Sequence, residues 1–334
     1  MKKAFAMMAA ILLVLTACTT KQQMASEDVV TREQLTFPIG DKIENPAFTG
    51  DAYLKNLIAL DSVFNFPQTN VVTFAPGAHS SWHRHGGMVV LVTGGVGLYQ
   101  EEGKAAIKRE QSDAGISSAE REQARPMVKP AQVLRKGDVL QIPAGVRHWH
   151  GATKDNWFSQ VVIYDMAWRP EAQVDEDNTL SNEYYNELAL EEYNHPTIID
   201  SLMFAAPDST LTLPTFNGPI RLANTVDAPN AAGAPGLHYV VFEPGVINAW
   251  HTHPGGQILI ATDGIGYHQI EGQPVEVLHP GDVAKCPPGV KHWHGASSNS
   301  RFAHLAVGTN PDMPPVIWTD EKLSKEEYDR LPIE

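Results

Sequence analysis

Two stretches of this chain are nearly the same text. FAPGAHSSWHRH, beginning at Phe74, returns as FEPGVINAWHTH at Phe242, and FTGDAYL at Phe48 returns as FNGPIRL at Phe216, both 168 residues later. TGGVGLYQEEG returns as TDGIGYHQIEG at a shift of 169, KGDVLQIPAGVRHWHGA as PGDVAKCPPGVKHWHGA at 144, and LSNEYYNEL as LSKEEYDRL at 143. A duplication is the economical explanation, so whatever one copy folds into, the other must fold into as well. The drop from 169 to 144 locates an insertion of about 25 residues in the first copy, between Gly103 and Gly137.

Within each copy the apolar runs are short, β-branched and punctuated by Gly and Pro, as in LHYVVFEPG, GQILIATDGIGYHQI and RFAHLAVG. Turn signals at that spacing argue for an all-β sandwich or barrel, used twice. Each copy ends differently: Ser324 with Glu327 three residues on is a capping-box pattern opening a short helix, and Ser181 is its counterpart as an N-cap. With 43% hydrophobic residues over 334 positions there is apolar material for two cores. The insertion, about residues 104–130, is charged and nearly without large apolar side chains, so it adds little core and reads as a solvated or disordered hairpin extension, with a functional lid as the alternative.

The N-terminus follows other rules. Lys2 and Lys3 precede an apolar run from Ala4 to Leu15, too short to span a bilayer as a mature helix, so residues 1–17 read as an export signal. LTAC, Leu15 to Cys18, resembles the cleavage box of bacterial lipoproteins, which would make Cys18 the lipid-bearing first residue; an ordinary signal with a chance Cys is the alternative. That resemblance implies a cell-envelope location with a lipid anchor, and Thr19 is no acidic retention signal, favouring the outer membrane of a Gram-negative cell. Residues 18–44 are polar and aperiodic, as a flexible tether would be. The first copy then occupies 45–190, a connector containing PTIIDSLMF 191–215, and the second copy 216–334. Without residues 1–17 the formal charge moves from −14 to −16, which makes nucleic acid and anionic membrane surfaces poor partners; none with nucleic acid is expected. Cys286, aligned with Ile142, reads as a small core hydrophobe.

Seven of the fourteen histidines fall between Glu243 and Leu305. Successive strand residues point to opposite faces, so His251 and His253 share a face, as do His292 and His294. Gln257 follows four residues after His253, and His292 sits behind a Pro-Pro-Gly turn. In the first copy His83, His85 and His148 match the three histidines, but no acidic or amide residue follows at the matching interval, where either Met88 or Val89 stands. Trp82, Trp250, Trp149 and Trp293 point away by alternation and read as core. His79, His195, His268 and His279 lack partners at ligand spacing and read as surface or hydrogen-bonded residues.

These spacings, G-x5-H-x-H-x3-E-x6-G followed by G-x5-P-x-G-x2-H-x3-N, resemble the two motifs of the cupin superfamily. The second copy supplies Gly245, His251, His253, Gln257 and Gly264, then Gly281, Pro287, Gly289 and His292, departing at Gln257 for Glu and Ala296 for Asn. The first supplies Gly77, His83, His85 and Gly95, one residue early, then Gly137, Pro143, Gly145 and His148. The resemblance covers nearly everything from residue 45 on and implies a bicupin, two tandem jelly-roll barrels with short flanking helices, often dimeric. WHTHPGGQ, PPGVKHWHGA and RFAHLAV are closer still to small bacterial cupins with a three-His, one-Gln manganese site, some of them hydroxynitrile lyases. That implies His251, His253, Gln257 and His292 as ligands, His294 and His304 as metal-free residues placed for proton transfer, and His238 as a further catalytic candidate lining the cavity with Val240.

Imidazoles plus one neutral amide leave the charge of a divalent ion unneutralised, which favours a Lewis-acid role for Mn, Fe, Ni or Zn, and the resemblance implies Mn first, then Fe, Zn or Ni. A neighbouring free histidine suits acid or base work near neutral pH. The first copy's three histidines could hold tetrahedral Zn with a water, and we read it as a metal site of different chemistry rather than a purely structural copy. The expectation is a metal-dependent enzyme acting on a small oxygenated or aromatic molecule by lyase or isomerase chemistry. The alternatives are a quercetinase-like dioxygenase and a non-catalytic small-molecule binding lipoprotein, since fold alone does not fix function.

Overall fold

The structure is a computed structural model and describes residues 29–103, 129–165, 173–174, 180–310, 312–314 and 316–332. The expected leader, Cys18 and residues 104–128 of the insertion lie outside the described residues.

Each copy is a barrel of curled, almost wholly antiparallel sheet. In the second copy one sheet runs in the order Ile220–Val226, Leu237–Phe242, Phe302–Gly308, Gln257–Gly264, Val283–Cys286. The facing sheet runs Glu276–Leu278, Gly266–Ile270, Lys291–Ala296, His251–Thr252, Ile317–Trp318. In the first copy the two layers are joined, because one 14-residue strand, Met88–Glu101, passes through both. Where the chain turns from one layer to the next, both copies need glycine. Gly95 and Gly264 have φ of +76° and +68°, and a Cβ there would lie 1.7 and 1.6 Å from the carbonyl oxygens of Trp157 and Arg301.

Alternation along the strands sorts two kinds of core. Val72, Phe74, Val90, Val92, Phe158 and Val162 fill the first barrel, while Val240, Phe242, Leu259, Ala261 and Phe302 fill the second. Their neighbours point outward, but not to solvent: Val71, Val89, Leu91, Val161 and Ile163 meet Tyr239, Val241, Ile258, Ile260, Leu305 and Val307 in one cluster between the barrels. The connector contributes Leu202, Met203 and Phe204 to that layer. Each such residue is worth about 1.5–3 kcal/mol when fully buried. Surface ion pairs such as Arg221–Asp200, 3.2 Å apart, are worth about 0–1 kcal/mol each. The shared apolar layer therefore dominates the joining of the barrels.

The terminal helices form where their caps lie. The Ser181 side chain accepts the Tyr184 N–H ahead of Asn182–Asn186, and Ser324 and Glu327 form a reciprocal capping box on Lys325–Tyr328. Tyr185 and Tyr328, matched across the duplication, donate their hydroxyls to the matched carbonyls of Ala152 and Ala296. The tether reads too long at its C-terminal side. Within residues 29–44 Asp41–Lys42 pairs with Ala52–Ile58, Trp157 donates its backbone N–H to Val30, and Phe37, 2% exposed, enters the inter-barrel core. A single aromatic seated in a groove leaves no periodic trace in a sequence, which is why this strap reads as polar linker.

Candidate metal centres in the two barrels

In the second barrel strand pairing sets His251 opposite His292, and their ring centroids lie 4.2 Å apart. His253 stands 5.1 Å from His251 and 5.5 Å from His292. Ligand atoms of all three fall within 4.8 Å of one another, and Gln257 Oε1 lies 3.0 Å from His292 Nε2. His251 Nδ1–H donates to the Ala249 carbonyl at 2.9 Å, which leaves Nε2 with its lone pair free. Burial holds these rings neutral: desolvation pulls His251 down to about 3, His253 to about 4 and His292 to about 2. Neutral imidazoles with free nitrogens converging beside an amide oxygen fit a divalent ion.

The first barrel repeats the arrangement. Ring centroids of His83, His85 and His148 are separated by 5.3, 4.4 and 4.8 Å, and their ligand atoms also lie within 4.8 Å of each other. Their Nδ1–H groups donate to the carbonyls of Ser81, Gly86 and Val146 at 2.8, 2.5 and 2.9 Å. His148 Nε2 is buried with no hydrogen-bond partner, which suits a nitrogen that binds an ion. The fourth position is settled by register. Gln257 pairs with Cys286 and Gly308, and Met88 pairs with the matching Ile142 and Tyr164. Met88, not Val89, therefore occupies it. A cavity of about 150 Å³ opens beside this cluster, walled by His83, His85, His150, Met88, Phe48 and Val72. A larger cleft, about 520 Å³, lies where the connector meets both barrels, near Val139, Phe204 and Leu222, and touches neither cluster.

The expected metal-free residues fall in two places. His294 and His304 are buried side by side, ring centroids 5.0 Å apart, with Phe242 and Phe302 against His304 at 5.8 and 5.4 Å. Burial lowers His304 to about 3 and His294 well below its ordinary value. His238 is exposed, and its Nδ1 bonds Asn224 Oδ1 at 2.8 Å. It shares a strand face with Val240 and Phe242, outside the ring contacts of the cluster.

Three residues near the second centre escape spacing arguments. His268 is 1% exposed, bonded through Nδ1 to Glu276 and 5.5 Å from the His292 ring. It therefore does have partners at ligand distance: its ligand atoms group with those of Cys286 and His292. Cys286 is buried as expected, but its sulfur also lies 2.9 Å from His292 Nδ1, and burial pushes the thiol up to about 12. Asn248, 1% exposed, bonds His294. Each stands where the first copy has a different chemistry, namely Tyr99, Ile142 and Ser80, and that contrast between copies is the signal that finds them.

Two tandem jelly-roll barrels, each closing on three convergent histidines suited to a metal ion, define the class of fold. The cupin domain model matches residues 238–308. An (R)-mandelonitrile lyase of Granulicella tundricola is 46% identical over 115 residues, which is 34% of this chain and 86% of that protein. The chain belongs to the cupin family. Oxalate decarboxylase from Bacillus subtilis overlays both barrels with a TM-score of 0.51 at 14% identity, covering 89% of this chain and 85% of that one. A further structure of that decarboxylase, concerned with its Mn(II) centres, overlays with a TM-score of 0.50 at 14% identity, covering 89% and 86% of the two chains. At such identity the likeness speaks for the fold.

Proposed function

We propose that this chain is a metal-dependent cupin lyase whose working centre is the second barrel and whose substrate is a small cyanohydrin or related α-hydroxy carbonyl compound. The observation that carries the reading is the neutral set His251, His253, Gln257 and His292 lying beside two further buried histidines, His294 and His304, that stand outside the cluster. The high identity to a mandelonitrile lyase supports it. A divalent ion bound there, manganese in this reading, would supply Lewis acidity toward a substrate oxygen. The chain's own residues do the rest. Phe242 and Phe302 exclude water from His304, and His294 and His304 are placed to hold or move a proton. In cyanohydrin cleavage the hydroxyl loses its proton, the carbon–carbon electron pair leaves with cyanide, and cyanide takes a proton, so two proton-active groups match the need.

The test is anaerobic turnover of (R)-mandelonitrile by metal-loaded protein, read as benzaldehyde absorbance. Activity is expected, and His292→Ala is expected to abolish it together with metal bound in the second barrel, leaving metal bound in the first. Oxygen consumption with a flavonol or catechol in place of anaerobic turnover would assign the dioxygenase reading. A ligand-perturbed metal spectrum without turnover would assign the binding reading. We also propose export with lipid attachment at Cys18, which the mass of the mature N-terminal peptide tests; an unmodified Cys18 would remove it.

A further inference from the structure

In the second barrel Asn248 and His294 are joined by three hydrogen bonds. Asn248 N–H donates to the His294 carbonyl at 3.1 Å, His294 N–H donates to Asn248 Oδ1 at 2.9 Å, and Asn248 Nδ2 lies 3.0 Å from His294 Nε2. The amide cannot turn over, because its NH₂ would then face a backbone N–H and leave two donors opposed in a buried place. With Oδ1 committed to the backbone, the group facing Nε2 is a donor, so Nε2 accepts. The ring proton of neutral His294 therefore resides on Nδ1. That Nδ1 is buried and has no hydrogen-bond partner, while the ring stands against His304 and, at 5.4 Å, against His251.

The duplicate wires the matched ring the other way. Ser80, in place of Asn248, accepts the His150 N–H through Oγ at 3.2 Å but offers the ring nothing. His150 is held at Nδ1 instead, 2.7 Å from Gln160 Nε2. Gln160 stands where the second copy has His304. The two barrels thus secure opposite nitrogens of equivalent histidines.

We propose that Asn248 is a positioning residue that fixes the tautomer of His294, so that the second centre presents an N–H donor, and that the substrate group received there is a hydrogen-bond acceptor such as the departing nitrile or a carbonyl oxygen. This rests on the second barrel being the active one. It restricts His294 to donation and leaves proton removal to another group.

The experiment uses full-length, zinc-loaded protein labelled with ¹⁵N-histidine, with His294→Gln to assign the resonance and two variants of Asn248. Wild type is expected to show His294 protonated at Nδ1. Asn248→Asp presents only acceptors and is expected to move the proton to Nε2. Asn248→Ser keeps the backbone bond, as Ser80 does, and is expected to give a mixture of tautomers. With manganese-loaded protein and mandelonitrile, Asn248→Asp is expected to lower kcat by roughly 10²-fold with KM and metal content unchanged, and Asn248→Ser by less. A wild-type ring protonated at Nε2, or a tautomer indifferent to Asn248→Asp, would overturn the lock. A tautomer that moves while kcat does not would overturn its role in turnover. Absence of turnover in wild type would count against the proposed function and leave the spectroscopic result to decide the lock.

Discussion

Gln257 and Met88 hold one place in two barrels and offer an ion different things. An amide oxygen is a hard neutral donor, and a thioether is soft and weakly coordinating toward manganese or zinc. The first centre is thereby left with three imidazoles and an open side facing a cavity of about 150 Å³, the arrangement that suits four-coordinate zinc with one exchangeable position. Met88→Gln should give the first centre the ligand it lacks and raise its affinity for manganese about tenfold or more, measured by metal titration in a His251→Ala, His292→Ala background. Unchanged affinity would show that Met88 does not face the ion. The sequence alone could not choose between Met88 and Val89, because the first copy is one residue short before Gly95 and only the ladder shows where the shortfall falls. That the histidines of each copy converge was legible because their alternation and turn are local. Asn248, His268 and Cys286 were not, since their importance comes from partners on other strands.

At the level of elements, the connector is more than a link between copies. Leu202, Met203 and Phe204 insert into the shared core, Phe204 meets Tyr239 edge-on at 5.7 Å, and Asp263 accepts from both the Tyr239 hydroxyl and the Met203 N–H. Phe204→Ala should cost about 3–5 kcal/mol of stability, read by urea unfolding, with metal content unchanged at both centres. A loss under about 1 kcal/mol would mean that the connector can lift away without opening the layer beneath it. PTIIDSLMF is visibly apolar in the sequence, so that it packs was legible; that it packs between barrels was not, because an apolar run does not name its partner. Phe37 shows the same limit more sharply, being one aromatic in a polar stretch.

For the whole molecule, the histidines make stability depend on pH in two senses. His251, His253, His292, His304 and His83 have folded values of about 2 to 4 against an ordinary 6.5. Between those limits the unfolded chain binds protons that the barrels refuse, so stability falls as pH drops below 6.5. His195 is the opposite case. Burial alone would lower it, but bonds to Glu192 and Asp138 raise it, so its contribution is present below 6.5 and is lost as pH rises through the folded value. The metal-free protein should therefore show a thermal midpoint that declines from pH 7 to pH 5. His304→Phe, between Phe242 and Phe302, should flatten that decline by up to about 1.4 kcal/mol per pH unit. A slope unchanged by His304→Phe would place the acid sensitivity elsewhere.

The layer between the barrels is an interface in every respect except that one chain supplies both sides. Each half turns a broad apolar sheet face, Val71, Leu91 and Ile163 on one side and Tyr239, Ile258 and Leu305 on the other, toward its own duplicate. Separate polypeptides meeting that way would depend on concentration to stay paired, whereas here the partner's local concentration is fixed by the connector and does not fall on dilution. That tethering frees the two halves to diverge. One barrel can carry Met88 where the other has Gln257, and hold its matched histidine by the other nitrogen, without the assembly having to be re-established, because the surface that holds the pair together lies on the opposite face of the same strands.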